Sequence, residues 1–178
     1  GFHTRNVIHR VHEHIQLSAL EQSGADGLYV SPVIGPKKTG DFLPEPIMRS
    51  YQLMLDLGLY PEGKVVLGSF ATYSRYAGPR EAVFTALCRK NMGCSHFIVG
   101  RDHTGVGNFY RANEIPALFE KLGDIGLTPI FFDAIGYNPK RDGYVALDAT
   151  ETLKPISGTE MRSALRAGQT LPEWFMRA

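Results

Sequence analysis

The feature that most constrains this chain is an alternation of short apolar runs with longer stretches whose apolar residues recur every three or four positions. GLYVSP (27–32), KVVLGSF (64–70), HFIVG (96–100) and PIFFD (129–133) have the length and composition of buried strands. Between them, 11–23, 46–57, 79–91 and 115–122 carry helical spacing, with Pro46 and Pro79 placed for first helical turns and a glycine-containing break after each stretch. Strands alternating with helices build a parallel sheet covered by helices, so the expected fold is α/β and doubly wound. The segment 35–46 (GPKKTGDFLPEP) is too irregular for a core element and reads as a mobile loop beside a site. Beyond Tyr137 come a polar turn (NPKRDG), a short strand at 144–147 and a helix from about 159 to 166, capped by Ser157 or Thr159. A main domain over 1–136 and a small C-terminal extension over 137–178 follow from this pattern.

Doubly wound sheets bind ligands beyond the carboxyl ends of their strands, so the loops there carry the functional reading. FHTRNVIHRVHE (2–13) concentrates histidine, arginine and asparagine donors ahead of and inside a helix. If that helix starts near Ile8, His9 and His12 share one face beside its positive end, where an anion is favoured. Arg5 offers a planar fork of donors to phosphate or sulfate oxygens, and Asn6 adds a neutral amide. Histidines at this spacing also occur with no catalytic task. GRDHTGVG (100–107) follows a strand and lets backbone approach a ligand, with Arg101 and His103 as donors. ISGTEMR (156–162) is explained by helix capping alone, without a ligand.

Bulk properties exclude several classes. With 178 residues, 43% of them hydrophobic, the chain can bury one substantial core. Nineteen Lys+Arg against eighteen Asp+Glu leave a formal charge of +1, too little to draw the protein to nucleic acid or a membrane surface. Two cysteines with no CxxC pairing indicate neither a disulfide framework nor a protein-bound zinc, and the cytoplasm is the expected location. No run of 18 apolar residues could span a membrane. GxxxxGK[ST], GxGxxG and HExxH are absent, which argues against P-loop kinases, nicotinamide enzymes and zinc hydrolases. The chain opens on Gly1 rather than Met, with a candidate phosphate-binding segment starting at once at Phe2, so a longer natural product is expected.

TRN followed by HRVHE, YAGPREA (76–82), RKNMG (89–93), HFIVGRDH (96–103), ISGTEMR and LPEWF (171–175) occur in that order. Together they resemble the ATP sulfurylase family over nearly the whole chain. The resemblance implies a Rossmann-like nucleotidyltransferase fold of the HxxH type, with Mg²⁺ carried in by ATP, no protein metal ligands, and a homo-oligomer whose N-terminal domain or fused partner lies ahead of Gly1. It places catalytic functions on Thr4, Arg5, Asn6, His9 and His12, and nucleotide contacts on Gly100, Arg101, Asp102, His103 and Ile135. Acceptor contacts fall on His3, Arg5 and Thr104. The implied reaction joins AMP from ATP to sulfate with release of pyrophosphate, or runs in reverse. His3 and Thr104 stand where the family has Gln and Ala, and Val7 where it has Pro. A different oxyanion acceptor (a phosphate, phosphonate or sulfonate group) and a non-catalytic ATP-binding module therefore stay open as alternatives. A first strand cut short at Gly1 would expose a central edge of the sheet.

Overall fold

The computed structural model describes residues 1–101, 103, 109–111, 113–147 and 152–177. Five strands lie parallel: β1 (Phe2–Thr4), β2 (Leu28–Pro32), β3 (Val65–Leu67), β4 (His96–Gly100) and β5 (Thr128–Phe132). Pairing runs β3-β2-β1 on one side and β4-β5 on the other. The two sets meet at Gly1, whose carbonyl accepts from the Ile98 amide at 2.9 Å and whose amine donates to the His96 carbonyl at 2.8 Å. β1 therefore sits between β2 and β4, and the central edge expected from a truncated first strand is occupied. The sequence pattern passes over β1 because three residues, FHT, are too short to show a period.

Helices cover the sheet. α1 (Arg10–Ser23) begins two residues later than a start near Ile8 would place it, because His9 adopts an extended conformation and caps the helix. Gly24 ends it in the left-handed region at φ 59°, which costs glycine nothing. α2 (Pro44–Asp56) starts earlier than expected, with Pro44 rather than Pro46 opening its first turn. α3 (Pro79–Asn91) has the expected bounds, and α4 (Glu114–Leu122) starts one residue early. α3 turns Ala82, Thr85, Ala86 and Arg89 inward, a spacing of three, four and seven that puts a guanidinium on a core-facing side.

One core cluster joins Phe2, Val7, Ile15, Val30, Tyr51, Ile98, Met161 and Phe175; a second lies between α3, α4 and the β4-β5 pair around Phe97, Val99 and Phe119. Burying a residue of this kind contributes about 1.5–3 kcal/mol, so Met161 and Phe175 tie the last forty residues to α1 and α2. That tie has a polar part. Arg177 donates twice to the buried Glu13 carboxylate, at 3.0 and 2.6 Å, and the Phe175 carbonyl accepts the Arg10 amide in the first turn of α1. A small antiparallel sheet, β6 (Ile135–Asn138), β7 (Gly143–Ala146) and β8 (Lys154–Pro155), leads into α5 (Gly158–Arg166). Its polar, glycine-rich strands leave β6 and β8 unreadable in the sequence. Ser157 caps α5 as expected, its hydroxyl accepting from the Glu160 amide at 3.1 Å. Among the described residues no helix is long and apolar enough to cross a membrane.

Candidate active site

Strand order reverses between β1 and β4, and a crevice opens beyond the carboxyl ends of strands at such a point. A cavity of about 430 Å³ lies there. The loop after β1 supplies Thr4, Arg5, Asn6 and His9 to its wall; the loop after β4 supplies Gly100, Arg101 and His103; and Phe132, Asp133, Ala134 and Ile135 close it from the β5–β6 turn. A larger cavity of about 610 Å³ sits at the opposite ends of the strands, beside Gly1, Gly27 and His96. No arginine lines it among the described residues, so the donor-rich crevice is where anion chemistry belongs.

His9 and His12 stack face to face, ring centroids 3.7 Å apart and 21° from parallel. The stack follows from the cap: His9 Nδ1 accepts the His12 backbone amide at 3.3 Å, which folds the capping ring back over the first turn. With Nδ1 accepting, the proton of the neutral ring is on Nε2. Burial holds His9 down at about 3, so at neutral pH it is an uncharged donor. His12 is also held well below the ordinary imidazole value, first by burial and then by the neighbouring His9. The Tyr51 hydroxyl lies 3.3 Å from its Nδ1, and burial raises that phenol well above 10.

Thr4 is buried and accepts the Asn6 amide on its hydroxyl at 3.1 Å, closing the turn that aims Arg5 and Asn6. Arg162 of α5 donates to Asn6 Oδ1 at 2.8 Å, leaving the amide NH₂ to face Gly158 and the cavity. A side chain at Gly158 would bring its Cβ within 2.9 Å of Asn6 Nδ2, so any larger residue would displace the Asn6 amide. The cap reading of ISGTEMR and a place in the crevice both hold, since Ser157, Gly158, Thr159 and Arg162 line the cavity. Arg162 carries a sequence signal of its own, as the only cation on the opening turns of that capped helix.

Arg5 Nη1 donates to the Tyr76 hydroxyl at 2.7 Å and to the Asp41 carboxylate at 3.4 Å. Its Nε and Nη2 have no hydrogen-bond partner among the described residues. Asp41 belongs to the irregular loop that the sequence placed beside the site, and it also accepts from Tyr76 at 3.1 Å.

On the other wall, His3 is buried and its Nδ1 lies 3.0 Å from Arg89 Nη2. Arg89 also donates to the Ser31 hydroxyl and carbonyl, each at 2.9 Å, and lies 4.1 Å from the Phe70 ring centroid. His103 stands with its ring 5.2 Å from His3 and its Nε2 2.9 Å from the Thr85 hydroxyl. The Thr85 hydroxyl also lies 2.9 Å from the Glu81 carbonyl, one turn back on α3. Burial and the Arg89 charge hold His103 at about 4. His3 is held well below 6.5 by burial first, then by His103, Arg89, Lys37 and Arg5. Burial and the cations Arg89, Lys37 and Arg5 therefore all disfavour a positive charge on His3. Arg101 is exposed at the mouth, Ile135 is half-buried at the floor, and Asp102 and Thr104 lie outside the described residues.

The fold resembles that of a hexameric APS kinase from Thiobacillus denitrificans, with a TM-score of 0.72 over 98% of this chain and 34% of that one, at 23% identity. Proteins named sulfate adenylyltransferase are similar over 99% of the chain. That of Symbiobacterium thermophilum is 44% identical over 184 residues, and that of Pyrococcus abyssi 42% over 185. That of Microcystis aeruginosa is 41% identical over 183 residues. The chain spans about half the length of the curated relatives it matches, 46–47% of each of these three. The ATP-sulfurylase family model matches residues 1–178, and with the crevice just described this places the chain in the ATP-sulfurylase family.

Proposed function

We propose that this chain carries the adenylyl-transfer site of a sulfate adenylyltransferase, of the HxxH nucleotidyltransferase type. A sulfate oxygen attacks the α-phosphorus of ATP in line with the leaving group; the S–O–P bond forms as the bond to the β-phosphate oxygen breaks, and pyrophosphate departs with its electron pair. No covalent enzyme intermediate is needed. Catalysis then consists of alignment and charge stabilisation.

The observation that carries the reading is the stacked histidine pair at the switch point, with the His9 proton fixed on Nε2 by a backbone amide. Donors of this kind, uncharged and immobile, stabilise charge that develops on α- and β-phosphate oxygens without reorganising. Asn6, turned by Arg162, adds its NH₂ group to the same side. Gly100, Arg101 and Ile135 line the part of the crevice assigned to the nucleotide, and His103, assigned with them, stands beside His3 where that part meets the acceptor wall. Arg5 presents Nε and Nη2 to the sulfate, steadied by Asp41 and Tyr76. Guanidinium, amide and imidazole donors suit anionic oxygens rather than a divalent cation, so Mg²⁺ belongs to the nucleotide substrate.

Pyrophosphate release measured with ATP, Mg²⁺ and sulfate decides the matter. Release that depends on sulfate is expected from the full-length protein. Release driven instead by another oxyanion, or ATP binding with no release at all, overturns sulfate transfer.

A further inference from the structure

Arg89 is the largest fully buried side chain in the described structure, and it has no carboxylate partner among the described residues. Burying a cation without a counterion is costly. Its Nη1 has no hydrogen-bond partner either. Structural bonding accounts for part of it: Nε and Nη2 fasten the Ser31 hydroxyl and carbonyl in β2. The remaining contact is with His3 Nδ1, and it is chemically decisive. A guanidinium has donors only. Nδ1 must therefore accept, and the single proton of the neutral ring is forced onto Nε2. That nitrogen is buried and unpartnered, on a ring that lines the crevice.

We propose that Arg89 is a positioning residue that locks His3 as an Nε2–H donor, so that His3 offers the acceptor oxyanion one neutral hydrogen bond of fixed polarity. The proposal rests on the sulfate-transfer reading for the identity of the acceptor, and on the geometry alone for the tautomer. Among the described residues, every charged or titratable group that acts on His3 works in the same direction. Arg89 approaches from α3, His103 from the loop after β4, Lys37 from the loop after β2 and Arg5 from the loop after β1. A doubly protonated ring would set a second N–H against the Arg89 donor, so the lock also keeps His3 uncharged.

The polarity makes a distinctive rule for substitutions. Glutamine can accept from Arg89 on Oε1 and donate from its NH₂, the same pattern as the locked histidine. Glutamate can only accept, and methionine can do neither.

The test has two arms on the full chain. In the first, long-range ¹⁵N–¹H correlation spectra of ¹⁵N-histidine protein assign the protonated nitrogen of each ring. We expect His3 with bare Nδ1 and protonated Nε2 at pH 7 and at pH 5.5, its Nε2 signal shifting on titration with sodium sulfate. R89M should abolish that pattern and give a tautomer mixture. His3 protonated on Nδ1, or an unchanged pattern in R89M, overturns the lock; an Nε2 signal indifferent to sulfate overturns the donor function. In the second arm, H3Q should raise KM for sulfate by about threefold and H3E by about thirtyfold, with KM for ATP moved less than about twofold. Equal effects of H3Q and H3E overturn the polarity rule even if R89M fails to fold. A wild-type chain with the expected tautomer and sulfate-sensitive Nε2 but no sulfate-dependent release would sink sulfate transfer and leave the lock standing.

Discussion

The two walls of the crevice solve the same problem in different ways. Each presents a buried, neutral imidazole whose Nδ1 is engaged and whose proton is therefore on Nε2. On the nucleotide wall the His9 tautomer is fixed by a main-chain amide, that of His12. On the acceptor wall the His3 tautomer is fixed by a side chain, Arg89, reaching from another element. A main-chain donor survives nearly every substitution, whereas a side-chain donor is lost with one. The half proposed to hold the phosphates is thus built to tolerate change around it, and the half proposed to meet the acceptor is tunable from a distance.

The largest effect is expected on the robust wall, because in the proposed reaction the groups there meet developing charge. Replacing His9 or His12 with alanine should lower kcat by about 100- to 1,000-fold, the usual cost of one preorganised donor to a transition state. KM for ATP should change by less than about fivefold. Steady-state pyrophosphate release at varied ATP checks this, and weakened ATP binding with intact kcat would make the pair a ground-state grip only.

Next in size is Arg5→Ala, which should raise KM for sulfate by about 30-fold while leaving ATP saturation within about threefold. Saturation curves for each substrate separate the two. An unchanged sulfate KM would remove Arg5 from the acceptor wall and leave it as a brace for Asp41 and Tyr76.

A smaller effect isolates the main-chain lock itself. His12→Ala deletes a ring but keeps its amide, so His9 should stay protonated on Nε2. His12→Pro deletes both. Proline is tolerated in the first helical turn, where amides lack helical partners, and residue 12 lies there. The proline variant should therefore lose about tenfold more kcat than the alanine variant, with ¹⁵N spectra reporting His9 released from its tautomer. Equal kcat in the two variants would mean that the amide does not set the donor.

How much of this is legible in the sequence differs between the same two walls. The nucleotide wall is local: Thr4, Asn6, His9 and His12 fall within nine residues, and helical spacing plus a donor count is enough to single them out. What a local reading misjudges is the start of α1, since a histidine cap is uncommon and Ile8 looks like the first periodic apolar residue. The acceptor wall is assembled from β1, β2, α3 and the loop after β4, and no window contains it. Arg89 stands out in the sequence only as part of RKNMG, although its register with Ala82, Thr85 and Ala86 puts it on the inner face of α3. The contacts of Arg162, Asp41 and Tyr76 escape a local reading for the same reason, although Arg162 is marked out as the only cation on the opening turns of α5. Their partners, Asn6 and Arg5, are 156, 36 and 71 positions away. The parallel sheet is readable because its strands are continuous apolar runs; β6 and β8 are not, because short polar strands carry no period.

Acid should act on both walls at once, and the sign follows from where the protons can go. In the unfolded chain each of these histidines protonates near 6.5, while in the folded chain burial holds His9 at about 3 and His103 at about 4. Below 6.5 the unfolded state binds protons that the folded state refuses. The stability these groups contribute is complete above that value and erodes as pH falls toward the folded ones. For each such histidine, every pH step of one below 6.5 removes about 1.4 kcal/mol until the folded value is reached. Between pH 6.5 and 4.5, His9 and His103 together thus remove on the order of 5 kcal/mol, comparable with the whole stability of many domains. Urea unfolding at pH 7.0, 6.0 and 5.0 should show a midpoint falling steeply in that window. His9→Asn should flatten the slope by close to one proton, and so should His103→Asn. The walls then part on one point. His9 is shifted by burial alone, whereas His103 also feels the Arg89 charge. In Arg89→Met, if folded, the contribution of His103 should shrink and that of His9 should not. A parallel loss in both would mean that desolvation dominates the two walls equally, and that the Arg89 charge adds nothing to the acid sensitivity of its neighbour.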